Sequence, residues 1–213
     1  MPLWPFFELT IRTPRIELRY PTDDVLPAIT AAAASGIHPP DEMPFSIPWT
    51  RKPAGELERS VAQFIWSRRA TLSVDDWGLP FVVFEGGRPI GIQELFARNF
   101  SIVRTVETGS WLTRSAQGRG IGLEMRSAVL HLAFDGLRAV EAISGSFEDN
   151  PRSEAVSRKI GYSPNGSNVV EREGRSARMN RWILTSETWA LRHRPDITVA
   201  GLDPCLGLLG AVL

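Results

Sequence analysis

Cysteine is almost missing from this 213-residue chain: Cys205 stands alone. A single thiol excludes an intrachain disulfide framework and fits a reducing compartment. Histidine is nearly as scarce. His38, His131 and His193 are scattered, show no metal-ligand spacing, and each reads as a surface or satisfied histidine. Charge of one sign is absent in net, since 24 Lys and Arg balance 24 Asp and Glu. No global basic field exists to gather nucleic acid or anionic lipid. The basic side is nearly all arginine, with Lys52 and Lys159 the two lysines, a bias that a GC-rich genome explains without a phosphate ligand. No apolar run reaches the about 18 residues of a membrane span. The opening residues, MPLWPFFE, are too short and too interrupted for a signal peptide. These absences predict a cytoplasmic protein whose partners include neither nucleic acid nor membrane.

What is present suits one domain, with 43% hydrophobic residues to fill a core. Ile16 to Tyr20 reads as a strand. Asp23 or Asp24 caps a helix to about Ser35, where Gly36 stops it. Four prolines break the segment from His38 to Trp49, yet it keeps Met43, Phe45, Ile47 and Trp49. It is either a loop packed on the core or a wall of a substrate site. A second helix covers 55–73. Strands over 80–85 and 88–97 form a hairpin about Gly86 and Gly87, and a third spans 102–112. A glycine loop then leads into a helix to about Phe134, a strand over 138–144, a helix from Asn150 to near Gly161, a hairpin over 167–172 and 178–184, and a short helix at 185–192. The order predicts a mixed α/β chain rather than a strict βαβ alternation. The domain covers 1–193. The extension 194–213 ends in an apolar stretch that packs either on its own domain or on a partner subunit of a homo-oligomer.

The most informative stretch is Gly109 to Gly122, GSWLTRSAQGRGIG. An apolar strand enters a polar turn, three glycines follow at two-residue steps, and a helix opens with Ile121, Met125, Ala128 and Leu132 at helical spacing. Without Cβ atoms a backbone comes close to an anion, and amides with the helix dipole point at it. Leu123 after Gly122 excludes a P-loop, and the two-residue steps exclude a dinucleotide fingerprint. The pattern Gln/Arg-x-x-Gly-x-Gly/Ala resembles the pyrophosphate loop of the GNAT superfamily, the acyl-CoA-dependent N-acyltransferases. A second segment, NPRSEAVSRKIGY from Asn150 to Tyr162, resembles the Asn-x-x-Ser…Gly-Phe/Tyr segment of RimJ/RimL-like members. The Met-Pro-Phe-Ser-x-Pro-Trp loop at 43–49 and the Ser-Trp-Leu before the glycines are similar to an actinobacterial subgroup of that branch. The likeness covers about residues 10–185.

The resemblance implies a central twisted mixed sheet flanked by helices. It also implies transfer of an acetyl, succinyl or other acyl group from CoA to a primary amine, on a small molecule or a protein N-terminus, by direct attack in a ternary complex. Acetyl-CoA or another acyl-CoA is the implied co-substrate, with no metal. By resemblance, the amides of Gln117, Gly118, Arg119, Gly120, Ile121 and Gly122 hold the pyrophosphate. Trp111, Leu112 and Thr113 pair with the pantetheine arm, Asn150 touches it, and Ser153 returns a proton to the thiolate. Arg158 reaches a CoA phosphate, while Arg114 and Arg119 either add positive charge or lie in solvent. Asn150 also caps its helix, which needs no ligand. The tyrosine that many members carry in this helix is absent, and Tyr162 holds a structural position. Glu107 resembles the family's general base, with Glu94 as its rival. Either is otherwise an ordinary strand carboxylate. The aromatic residues Phe45, Trp49 and Trp77 are candidates to line the acceptor site beside Glu94. The other function open to the same loop is a non-catalytic acyl-CoA sensor or scaffold.

Overall fold

The computed structural model describes residues 3–192 and 196–212. The boundary at 193/194 and His193 lie outside the described residues. Among the described residues nine strands form one sheet: β1 (Thr10–Arg12), β2 (Ile16–Arg19), β3 (Asp76–Glu85), β4 (Arg88–Arg98), β5 (Thr105–Leu112), β6 (Glu141–Phe147), β7 (Ser163–Arg172), β8 (Arg175–Thr185) and β9 (Thr198–Ala200). Their order is β7-β8-β6-β5-β4-β3-β2-β1-β9. Every pair is antiparallel except β5 with β6. The helices are α1 (Leu26–Ala34), α2 (Glu56–Ala70), α3 (Phe100–Val103), α4 (Ile121–His131), α5 (Pro151–Ile160) and α6 (Ser186–Ala190).

Strand alternation separates two cores. On β3, Leu79, Phe81 and Val83 face the larger one, with Ile121, Met125 and Ala128 of α4. Val82 and Phe84 face the smaller one, with Ile29 of α1 and Val61 and Ile65 of α2. The run LPFVVF is apolar throughout because β3 is covered on both faces.

The strand predicted over 102–112 begins at Thr105. Phe100–Val103 is instead one helical turn, flanked by left-handed Asn99 and Arg104. Ile102 and Val103 are exposed there, so apolar character misplaced the strand start. The closing hairpin is longer than predicted, and its turn sits at Glu173 and Gly174, both at positive φ. Two short strands escaped the pattern. β1 and β9 have three residues each, too few to show alternation. They pair with each other at the sheet edge, Ile11 opposite Val199. Behind β9 the chain buries Cys205, Leu209 and Ala211 in the larger core.

Candidate active site

The sheet opens at one place. β5 pairs with β6 only over Thr105–Glu107 and Glu141–Ile143, while its pairing with β4 continues to Leu112. From Thr108 onward one edge of β5 therefore has no strand beside it among the described residues, and its amides and carbonyls on that edge need partners. A cleft of about 850 Å³ runs through the gap. Thr108 to Leu112 form one side, Gly145 to Phe147 the other, and the glycine loop with the start of α5 closes one end.

That loop is built for an anion. Gly118 and Gly120 adopt φ of +74° and +82°, which an L side chain resists. Gly120 is the N-cap of α4, so the free amides of that helix end face the cleft end. Its outer side is clamped. Arg15 pairs with Glu124 at 2.5 Å and donates to the Arg119 carbonyl at 2.9 Å. Gln117 braces the loop from within by donating to the carbonyls of Ile37 and Leu112 at 2.6 and 2.9 Å.

Of the predicted CoA contacts, Trp111, Leu112, Gln117, Gly118, Gly120, Gly122, Asn150 and Ser153 line the cleft. Four do not bring a side chain to it. Ile121 is core. Thr113 is buried, its amide on the Ile90 carbonyl and its hydroxyl by Ser115. The Arg119 guanidinium is held by both oxygens of Glu85, at 2.9 and 2.7 Å. Arg158 pairs with Glu154 and lies over the Trp182 ring. Its neighbour Lys159 reaches the cleft instead, on the stripe Arg152, Ala155, Val156, Lys159. Helical spacing explains the exchange, because adjacent residues point about 100° apart. Asn150 accepts from the Ser153 amide at 3.2 Å, so the predicted cap is present.

The face of β5 that carries Glu107, Gly109 and Trp111 looks onto an aromatic and acidic part of the cleft. Phe45, Trp49 and Trp111 form a row, with centroid spacings of 5.2 and 5.9 Å. The proline-broken segment is thus a wall of the cleft. Arg172 of β7 fixes it by donating to the Met43 carbonyl, and Arg51 pairs with Glu173 at the hairpin turn. His38 also lines this wall, edge-on to Phe45 and hydrogen-bonded to Thr50. Its role there escaped the sequence because a lone histidine beside prolines carries no spacing signal. Trp77 is displaced from the predicted acceptor site. It is 1% exposed, packs on Phe100 and donates to the Leu209 carbonyl at 3.1 Å.

Glu94 and Glu107 line the cleft from the same face of neighbouring strands. Arg68 of α2 meets Glu94 at 2.5 Å, in room left by Gly78, whose absent Cβ would strike both side chains. Burial raises the Glu94 pKa, Arg68 opposes it, and the Glu107 charge adds to the rise. Burial also raises Glu107, opposed by Arg181 of β8 at 3.6 Å. Arg181 reaches across β6 at Gly145, where a Cβ would crowd it. Behind the gap, Arg126 is 5% exposed and donates to Ser157 at 3.0 Å. No cluster of His, Cys, Asp and Glu fit to hold a metal occurs among the described residues, and none of their helices is long and apolar enough to cross a membrane.

Solved structures share this architecture. RimJ of Mycobacterium smegmatis, in complex with a CoA disulfide, matches with TM-score 0.69 at 17% identity over 95% of each chain. RimL, a ribosomal L7/L12 alpha-N-protein acetyltransferase in complex with CoA, matches with TM-score 0.65 at 18% identity, over 83% of this chain and 97% of that one. The microcin C7 self-immunity acetyltransferase MccE, in complex with acetyl-CoA and AMP, gives 0.63 at 15% identity, over 81% and 93%. These likenesses establish the fold. The family model for the acetyltransferase (GNAT) domain matches residues 15–163, more than half of the chain. The chain belongs to the GNAT acetyltransferase family and is an N-acyltransferase with acyl-CoA as its co-substrate.

Proposed function

We propose that the enzyme acylates a primary amine by direct attack within a ternary complex, with Glu107 as general base and Ser153 as the proton donor to sulfur. The observation that carries this reading is the gap between β5 and β6, which joins the glycine loop at one end to a half-buried carboxylate at the other. The donor supplies an activated thioester carbonyl. The free edge of β5 from Thr108 to Leu112 offers amides to the pantetheine arm and the carbonyl. Lys159 adds positive charge on the donor side, while Arg152 beside it is paired with Glu42 at 3.3 Å. Glu107 takes the proton that the amine loses as the C–N bond forms. The Ser153 hydroxyl returns a proton as the C–S bond breaks.

Glu107 suits the base role better than Glu94. Glu94 is more deeply buried and fixed by Arg68, whereas Glu107 keeps 30% side-chain exposure and a longer pair with Arg181. A carboxyl raised toward neutrality is the stronger base. The row of Phe45, Trp49 and Trp111 favours an acceptor whose amine neighbours an apolar or aromatic group, on a small molecule or a protein N-terminus. RimL, with its protein N-terminal acceptor, sets the second of these as a natural first trial.

Thermal unfolding with CoA, acetyl-CoA, succinyl-CoA and NAD tests the donor half. A ligand at about 100 times its Kd adds about 2.7 kcal/mol, several degrees for this chain length. Stabilisation by CoA species but not NAD is expected, and no response to any CoA species would remove the reading. Thiol release with a panel of amines and N-terminal peptides then identifies the acceptor class.

A further inference from the structure

Arg126 is a buried cation with no carboxylate partner among the described residues. It lies on the second turn of α4, 5% exposed, and lines the cleft. One guanidinium nitrogen donates to Ser157 Oγ at 3.0 Å, while Nε has no partner among the described residues. Among the described residues the ionisable group that acts on it is Tyr162, a phenol that burial holds up at about 12, against the pull of Arg126 and Thr108, and that is therefore neutral. Arg68, the partly buried arginine of α2, has Glu94 at 2.5 Å. Placing a charge in the interior without a counter-charge is costly. A purely structural position would be filled better by an apolar side chain of that size.

The surroundings are polar in the same unfinished way. The Thr108 hydroxyl lies beside the Tyr162 hydroxyl, and neither completes a hydrogen bond of normal geometry. Thr108 is the first residue of β5 beyond its last pair with β6, Glu107 with Ile143. The Arg126 guanidinium and the hydroxyls of Thr108 and Tyr162 thus lie together near the residue at which the β5–β6 pairing ends, one position from Glu107. An acetyl methyl has no use for them. A carboxylate does, because a guanidinium fork and hydroxyls are the donors it needs.

We infer that the acyl group taken by this cleft ends in a carboxylate, in the manner of a short dicarboxylic acyl thioester such as succinyl-CoA, and that Arg126 with Thr108 reads that carboxylate. The inference rests on the acyl-CoA reading above and goes further by choosing the donor class. The carboxylate of such a donor supplies the counter-charge that Arg126 does not find among the described residues.

Calorimetric titration of CoA, butyryl-CoA and succinyl-CoA tests it without an acceptor. Butyryl and succinyl have the same number of carbons and differ in the terminal charge. The wild-type protein should bind succinyl-CoA at least about tenfold more tightly than butyryl-CoA, the size of a charged hydrogen bond. Arg126→Met should erase that preference and leave CoA and butyryl-CoA affinity in place, and Arg126→Lys should keep part of it. Equal binding of succinyl-CoA and butyryl-CoA by the wild type, with CoA still bound, overturns the inference and spares the acyl-CoA reading. So does an Arg126→Met variant that weakens all three ligands alike, which would make Arg126 a pantetheine contact. Binding of none of them by the wild type removes both readings. Should Arg126→Met fail to fold, the wild-type comparison decides alone.

Discussion

Glu94 and Glu107 stand on one face of neighbouring strands, offset by two residues, and each meets its own arginine, Arg68 at 2.5 Å and Arg181 at 3.6 Å. The offset makes them diagonal neighbours, so each charge disfavours the other. The two arginines differ in consequence. Arg68 locks Glu94 in place, while Arg181 sits far enough from Glu107 to leave a proton acceptor accessible from the cleft.

Glu107→Gln should therefore lower acyl transfer at neutral pH by about 10²- to 10⁴-fold, with CoA affinity kept. Glu94→Gln should act chiefly on stability, because it strands Arg68; breaking such a pair costs about 3 kcal/mol. Steady-state rates and urea unfolding of both variants separate the roles. An unchanged rate in Glu107→Gln removes it as base.

The pH dependence follows from the direction of the shift. Burial raises the Glu107 pKa above the ordinary carboxylate value of 4.5, so activity should rise with pH through that raised value. Arg181 pulls it down. Arg181→Met should thus move the acid limb of the kcat/KM profile to higher pH. Stability runs in the opposite direction. A carboxyl raised in the folded state holds a proton that the unfolded chain has released, so its contribution is full below pH 4.5 and is lost as pH rises through the folded value. Glu107→Gln should flatten that loss in urea midpoints measured between pH 4 and 7. A variant with the wild-type slope would exclude Glu107 as the titrating group.

The glycine loop separates conformational need from spatial need. Gly120 has φ of +82°, whereas Gly122 lies within α4 with room for a Cβ, which would make ordinary contacts with Val156 Cγ2 at 3.8 Å and Leu112 Cδ1 at 4.0 Å. Gly120→Ala should destabilise by about 1 kcal/mol or more, since a Cβ resists left-handed backbone. Gly122→Glu should fold normally yet lose CoA binding, by filling the cleft and repelling phosphate. Melting curves with and without CoA distinguish the two. CoA stabilisation retained in Gly122→Glu would move the donor elsewhere.

Much of this site was legible because its chemistry is written in local sequence. The glycine spacing, the Asn150 cap and the strand carrying Glu107 lie within short segments whose backbone rules are strong. What escaped depends on contacts between distant segments. Glu85 captures Arg119 from 34 residues away, and Arg181 reaches Glu107 because Gly145 on the strand between them has no side chain. The side of α5 that faces the cleft turns on a single residue, Lys159 rather than Arg158. Arg126 reads as an ordinary polar helix position, and only packing reveals that it is buried without a counter-charge among the described residues.

The displacement of Trp77 from the acceptor site yields the last prediction. Its ring is sealed between Phe100 and the C-terminal segment, where its indole nitrogen donates to the Leu209 carbonyl and Leu209 itself is fully buried. The segment behind β9 is thus held by core contacts rather than by the edge pairing of three residues with β1. Leu209→Ala removes a buried side chain and leaves a cavity, at a cost of about 2–5 kcal/mol. For a chain of this size that is a fall in Tm of roughly 5–15 °C. Trp77→Phe should cost less, because it keeps most of the packing and loses one hydrogen bond. Neither change touches the cleft, so CoA affinity below the transition should match the wild type in both. A loss of acceptor affinity in Trp77→Phe with stability unchanged would return Trp77 to the acceptor site, against the packing described above.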